Sequence, residues 1–170
     1  MAIFRLNHAV LYVRDVARST AFYRDVLGFR VKTTMGDKAV FLQAPDSTND
    51  HDLGLFALGA SAGASAAGRG TVGMYHLAWE LSTLAELEEH AQRLDAAGAL
   101  VGASDHGTTK SLYAQDPDGL EFEVVWIVPA DLLDEQAIEA GKRITRLDIA
   151  KEKARYGADT RGGVGISIRA

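Results

Sequence analysis

His106-Gly-Thr-Thr-Lys110-Ser-Leu-Tyr113-Ala-Gln-Asp116-Pro-Asp-Gly119-Leu-Glu121-Phe-Glu123 reads as a strand, a tight turn and a second strand. Residues 112–115 form the first strand. The turn is 116–119, with Pro117 preset for its second position and Gly119 free to take a positive φ. Residues 120–128 form the second strand. Leu120, Phe122, Val124 and Trp126 point one way along it, and Glu121, Glu123 and Val125 the other. One face is apolar and suited to pack under a helix. The opposite face carries carboxylates and lines either solvent or a site.

Working outward, the rest of the chain shows a repeat. Residues 6–13 read as a strand in which His8, Val10 and Tyr12 share one face and Ala9, Leu11 and Val13 the other. Asp15 or Ser19 caps a helix reaching about residue 27, with Val16, Thr20, Tyr23 and Leu27 at helical spacing and Gly28 at its end. Strands follow at 29–34, 38–43 and 52–58. Residues 59–72 form a Gly/Ala-rich linker. The pattern then recurs: a strand at 74–81, a helix capped by Ser82 or by Thr83 with Glu86 in a capping box, a buried stripe of Leu84, Leu87, Ala91 and Leu94, Gly98 at the end, and strands near 100–103, 112–115 and 120–128. Each half is βαβββ, and His8 and His76 take the same place in the two first strands.

The expected fold is therefore α+β: two βαβββ modules, 1–58 and 73–128, with a C-terminal helical extension over 129–170. In that extension, 131–140 reads as a helix capped by Asp131 and 145–156 as a second one ending at Gly157, followed by a mobile tail. Such an appendage covers a site, makes a dimer contact or is simply solvated. A homo-oligomer is expected.

Composition narrows the function classes. The 170 residues are 47% hydrophobic, enough for a substantial core, and carry a formal net charge of -5. No basic run or aromatic-basic interleaving suggests a nucleic-acid partner. No apolar run approaches a membrane span of about 18 residues. The absence of cysteine excludes disulfides and thiolate metal sites. No signal-peptide pattern opens the chain, and a cytoplasmic location is expected.

His8, His76 and Glu123 each face away from the apolar stripe of their own strand. Two imidazoles and one carboxylate, without cysteine, make the facial triad of non-haem Fe(II), also suited to Mn(II), with open positions for other ligands. Glu121, two residues nearer the turn, reads as a residue at the cavity rim. Val10, Tyr12, Leu53, Leu55 and Ala57 are expected to supply an apolar pocket.

The paired βαβββ halves and the Asp116-Pro117-Asp118-Gly119-x-x-x-Glu123 ending resemble the vicinal oxygen chelate superfamily over residues 4–128. That superfamily includes glyoxalases, extradiol ring-cleaving dioxygenases, fosfomycin-resistance enzymes and bleomycin-resistance proteins. His106, Leu112-Tyr113, the Asp-Pro-Asp-Gly turn and Glu123 are similar in type and order to the extradiol motif. Ser104 departs from it where a glycine or another small or aliphatic residue is usual. The chain has two modules where many members have four.

The resemblance implies that the two modules form a half-open barrel around a metal site, and it implies a dioxygenase that opens the ring of a catechol with O2 at Fe(II), or alternatively Mn(II), held by His8, His76 and Glu123. It implies that His51 moves a proton beside the oxygen site, and that His106 and Tyr113 hydrogen-bond the bound catechol oxygen. On the strand reading, His51 shares a face with Leu55. The alternatives on this scaffold are a glyoxalase or epimerase, a fosfomycin thiol transferase, and a metal-free drug-binding protein. The first of these commonly adds a carboxylate on the last strand of the first module, where this reading places Leu53, Leu55 and Ala57.

Overall fold

The computed structural model describes residues 3, 5–67 and 70–163. The chain divides into two compact units. Unit 1 runs to Ala66 and takes in the turn Asp116–Gly119; unit 2 runs from Ala67 and holds the remainder. Among the described residues no helix is long and apolar enough to cross a membrane.

Unit 1 contains β1 (Ala9–Val13), α1 (Val16–Asp25), β2 (Arg30–Thr34), β3 (Ala39–Gln43) and β4 (Leu53–Ala57), with sheet order β1-β4-β3-β2. The outer pair β1·β4 is parallel and the others are antiparallel. Asp15 is the N-cap of α1, its carboxylate accepting from the Arg18 N–H. The helix buries Val16, Ser19 and Tyr23. Leu11, Val13, Val40, Leu42, Leu53 and Leu55 form the buried sheet layer. Full burial of one such side chain is worth about 1.5–3 kcal/mol, so this layer is the main stabilising feature of the unit.

Unit 2 repeats the plan with β5 (Leu77–Glu80), α2 (Leu84–Ala96), β6 (Leu100–Asp105), β7 (Thr109–Gln115) and β8 (Glu121–Ile127), adding α3 (Glu135–Ala140), β9 (Thr145–Arg146) and α4 (Ile149–Tyr156). The sheet order is β5-β8-β7-β6-β9. Again the first strand pairs parallel with the last of its half. Thr83 and Glu86 form the expected capping box. Leu84, Leu87 and Leu94 of α2 are fully buried, as are Leu112, Ala114 and Trp126 of the sheet. Both halves carry an irregularity in the second strand, between Val31 and Thr33 and between Leu100 and Gly102.

Several expectations change. Both first strands start later than periodicity suggests, so His8 and His76 are each the residue immediately before the strand. The equivalence between them survives the shift. Residues 131–140 are not one helix: a 3-10 turn at Ala130–Leu132 precedes α3, whose N-cap is Asp134 and not Asp131. Residues 145–156 are likewise split, because Thr145–Arg146 pairs with Ser104 and Asp105 as an edge strand before Asp148 caps α4. Sheet pairing outcompetes the local helical pattern there. The tail is docked as far as Gly163: the Gly162 N–H donates to Ser82 O and the Gly163 N–H to Ile127 O. The expectation of a mobile tail beyond Gly163 lies outside the described residues.

Candidate metal centre

In unit 2, the register of β8 with its neighbours sets the site. Tyr113 pairs directly with Glu123 across β7·β8, and Ala78 pairs with Glu123 across β5·β8. His76, two residues before Ala78, shares that face. Its Nε2 lies 3.1 Å from Glu123 Oε2, with the carboxylate side chain 12% exposed. The His76 Nδ1 is buried with no hydrogen-bond partner among the described residues. Nε2 is thus the nitrogen turned toward the carboxylate. Two donors bound at right angles to one cation, each at about 2.1 Å, stand about 3.0 Å apart. The observed separation fits a shared cation as well as a direct ion pair.

A second polar pair adjoins the first. His106 Nε2 is 3.0 Å from the Tyr113 hydroxyl, and the His76 and Tyr113 ring centroids are 5.8 Å apart. Burial, then the charge of Glu123, raises the Tyr113 pKa above its ordinary value. The phenol therefore keeps its proton at neutral pH and can donate it in a hydrogen bond. Glu121 lies on the same face, nearer the turn, opposite Gln115.

In unit 1, His8 and His51 lie with ring centroids 4.5 Å apart. His8 Nδ1 is 2.7 Å from Asn7 Oδ1, an acceptor, so that contact engages Nδ1 and not Nε2. His51 Nδ1 is 3.0 Å from Asp50 Oδ2, and the hydrogen bond from His51 lowers the Asp50 pKa. His51 is not on a strand; it lies in the loop before β4. Its ring packs 5.0 Å from that of Phe41.

The assignment of Leu53 and Leu55 to a pocket is overturned, and with it the face shared by His51 and Leu55. Both leucines are 0% exposed in the core beneath α1. The register pairs them with Ala9 and Leu11, so the open face carries Val10, Tyr12, Phe41, Gly54 and Phe56 instead. That face still offers no carboxylate.

Among the described residues no three His, Asp or Glu side chains are gathered closely enough to hold a metal ion. What is gathered is the pair His76 and Glu123.

Two features escaped the sequence reading. Asp118 in the turn accepts from the Arg14 backbone N–H and guanidinium, each at 2.9 Å, and from Arg18 at 2.5 Å. Asp116 of the same turn accepts from the buried Tyr23 hydroxyl at 3.3 Å. Lys110, at an inward position of β7 with Leu112 and Ala114, is buried among carboxylates. A lysine in phase with that apolar set was the available signal.

The model of the Glyoxalase/Bleomycin resistance protein/Dioxygenase superfamily matches residues 5–124. A metapyrocatechase 2 of Cupriavidus necator is 30% identical over 156 residues, covering 89% of this chain and 43% of that protein. A catechol-2,3-dioxygenase of Bacillus subtilis is 32% identical over 120 residues, covering 70% and 40% respectively. The chain thus spans less than half the length of these relatives. Among solved structures, a glyoxylase/bleomycin resistance protein/dioxygenase domain from Frankia sp. EAN1pec superposes with a TM-score of 0.64 at 20% identity, covering 76% of this chain and 96% of that one. A lactoylglutathione lyase from Agrobacterium tumefaciens superposes at 0.54 with 27% identity, covering 71% and 92%.

Proposed function

The chain belongs to the Glyoxalase/Bleomycin resistance protein/Dioxygenase superfamily, and we propose that within it the protein is an extradiol dioxygenase that opens the ring of a catechol with O2. The observation that carries the reading is the line of side chains on one sheet face of unit 2. His76 and Glu123 form a donor pair, Tyr113 faces Glu123 in register, and His106 reaches the Tyr113 hydroxyl. The similarity to a metapyrocatechase and a catechol-2,3-dioxygenase supports it.

In this proposal His76, Glu123 and His8 hold Fe(II), with Mn(II) as the alternative. His8 is included because it holds the place in unit 1 that His76 holds in unit 2. When bound, such an ion offers open positions where catechol and dioxygen are brought together. The protein's own contribution is orientation and proton handling. Tyr113 donates its hydroxyl proton to a catechol oxygen, and His106, through its bond to that hydroxyl, fixes the direction of the donor. His51, with Nδ1 engaged by Asp50, has Nε2 left to take and return a proton.

A second reading, an isomerase of the lactoylglutathione lyase kind, is favoured by the 27% identity to that enzyme. Gly54 counts against it, because the place in unit 1 that corresponds to Glu123 has no carboxylate. Anaerobic loading with Fe(II), then catechol and air, separates the two. Yellow ring-opened product with one O2 consumed per catechol is the expected result. Metal uptake without product across several substituted catechols would discard the dioxygenase reading.

A further inference from the structure

Lys110 is 1% exposed on the helix side of β7. Its ammonium donates to Asp105 Oδ1 at 2.5 Å and to Gly107 O at 3.1 Å. It also forms an ion pair with Glu152 Oε2 at 2.9 Å, outside hydrogen-bond geometry at that oxygen. Glu152 comes from α4 and is itself 2% exposed. Tyr156, one turn further along α4, sets its ring 5.7 Å from the ammonium. Asp105 also accepts the Gly107 N–H at 2.8 Å. The lysine is therefore tied to the residues on both sides of His106 and to the C-terminal helix.

Other parts of the C-terminal segment press on the same turn. Gly107 has φ +73°, and a Cβ there would stand 2.2 Å from Ala137 O and 2.4 Å from Gly141 N at the end of α3. The strand β9 pairs with Ser104 and Asp105 just ahead of His106. Within the turn, the His106 N–H donates to Thr109 O and the Thr108 N–H to His106 O. Apolar replacement of a buried ion pair is often neutral or stabilising, so burial energy does not by itself account for charges at this point. Their geometry does account for them, since each acceptor belongs either to the His106 turn or to α4.

We propose that Lys110 and Glu152 are positioning residues for His106, and that the C-terminal segment belongs to the apparatus of the site through them. Glu152 holds Lys110, Lys110 holds Asp105 and Gly107, and these set where the His106 ring meets Tyr113. The inference rests on the reading of His106 as a residue of the site, but its first test does not need turnover.

The test is NMR of the imidazole resonances in the full chain, with the His106 signals assigned through His106→Asn. In Glu152→Gln the His106 signals should be displaced or broadened, while those of His8, His51 and His90 stay in place. Lys110→Met/Glu152→Met removes the buried pair together and leaves Asp105 the Gly107 N–H, and it should show the same displacement should the single variant fail to fold. With Fe(II) and catechol, kcat/KM should fall by about 10- to 100-fold in the folded variants, metal content being unchanged. Unmoved His106 signals in a folded variant, or displacement of all five histidines together, would overturn the proposal. If wild type turns over no catechol, the dioxygenase reading fails while the NMR result still decides this one.

Discussion

Tyr113 stands directly opposite Glu123 in the β7·β8 ladder, and Phe41 stands opposite Gly54 at the corresponding place in β3·β4. The two halves thus share a histidine before the first strand but differ at the next two positions of the site. Unit 2 has a carboxylate and a phenol where unit 1 has a glycine and a phenyl ring. A Cβ at Gly54 would meet the Phe41 ring at 3.5 Å, so the phenyl lies beside the place where a carboxylate would project.

On the proposed ligand set, removing any one of the three side chains should release the ion. His8→Ala, His76→Ala and Glu123→Gln are each expected to lose bound iron or manganese on dialysis, read by elemental analysis beside wild type. Retained metal in all three would discard the ligand assignment.

Tyr113→Phe should keep metal yet turn over catechol poorly. Losing a hydrogen bond to a charged oxygen costs about 1.5–3 kcal/mol, which is roughly a 10- to 150-fold fall in kcat/KM. His51→Ala is expected to bind metal and catechol normally and to lower kcat by about 10²- to 10⁴-fold. Steady-state kinetics on iron-loaded protein checks both.

Truncating Lys110 alone leaves the 2%-exposed Glu152 without its cation and Asp105 without its ammonium donor. Lys110→Ala should therefore cost about 3–5 kcal/mol. The double change Lys110→Met/Glu152→Met should cost clearly less than Lys110→Ala, because the buried Glu152 charge goes with its partner and the partly exposed Asp105 keeps the Gly107 N–H. Urea unfolding of the variants measures the difference.

Acid should weaken both units in the same direction. Burial alone would raise Asp105, but the hydrogen bonds from Lys110 and from the Gly107 N–H hold it below the ordinary 3.8. Burial likewise opposes, and the bonds from Arg14 and Arg18 outweigh it, at Asp118. With folded pKa values depressed, the unfolded chain binds more protons in the interval between the two states. The stabilisation is complete above 3.8 and is lost as pH falls through each folded value. Asp118→Asn should remove part of this dependence, seen as a flatter Tm-against-pH curve on the acid side.

Periodicity and turn chemistry alone determined the duplicated βαβββ plan, both helices of the repeat, the capping box at Thr83 and the outward face of β8 that carries Glu123. These are local properties: alternation reports one face of a strand, and a cap needs only its next few residues. Registers and pairings that bring distant segments together were decided by tertiary structure. It placed Leu53 and Leu55 under α1 and left Gly54 and Phe56 on the open face. A strand's inner side is chosen by what packs on it, and a reading shifted by one residue reverses the choice. The clasp of Lys110 by Glu152 lay beyond the sequence for the same reason, since residues 42 positions apart become neighbours only when α4 docks.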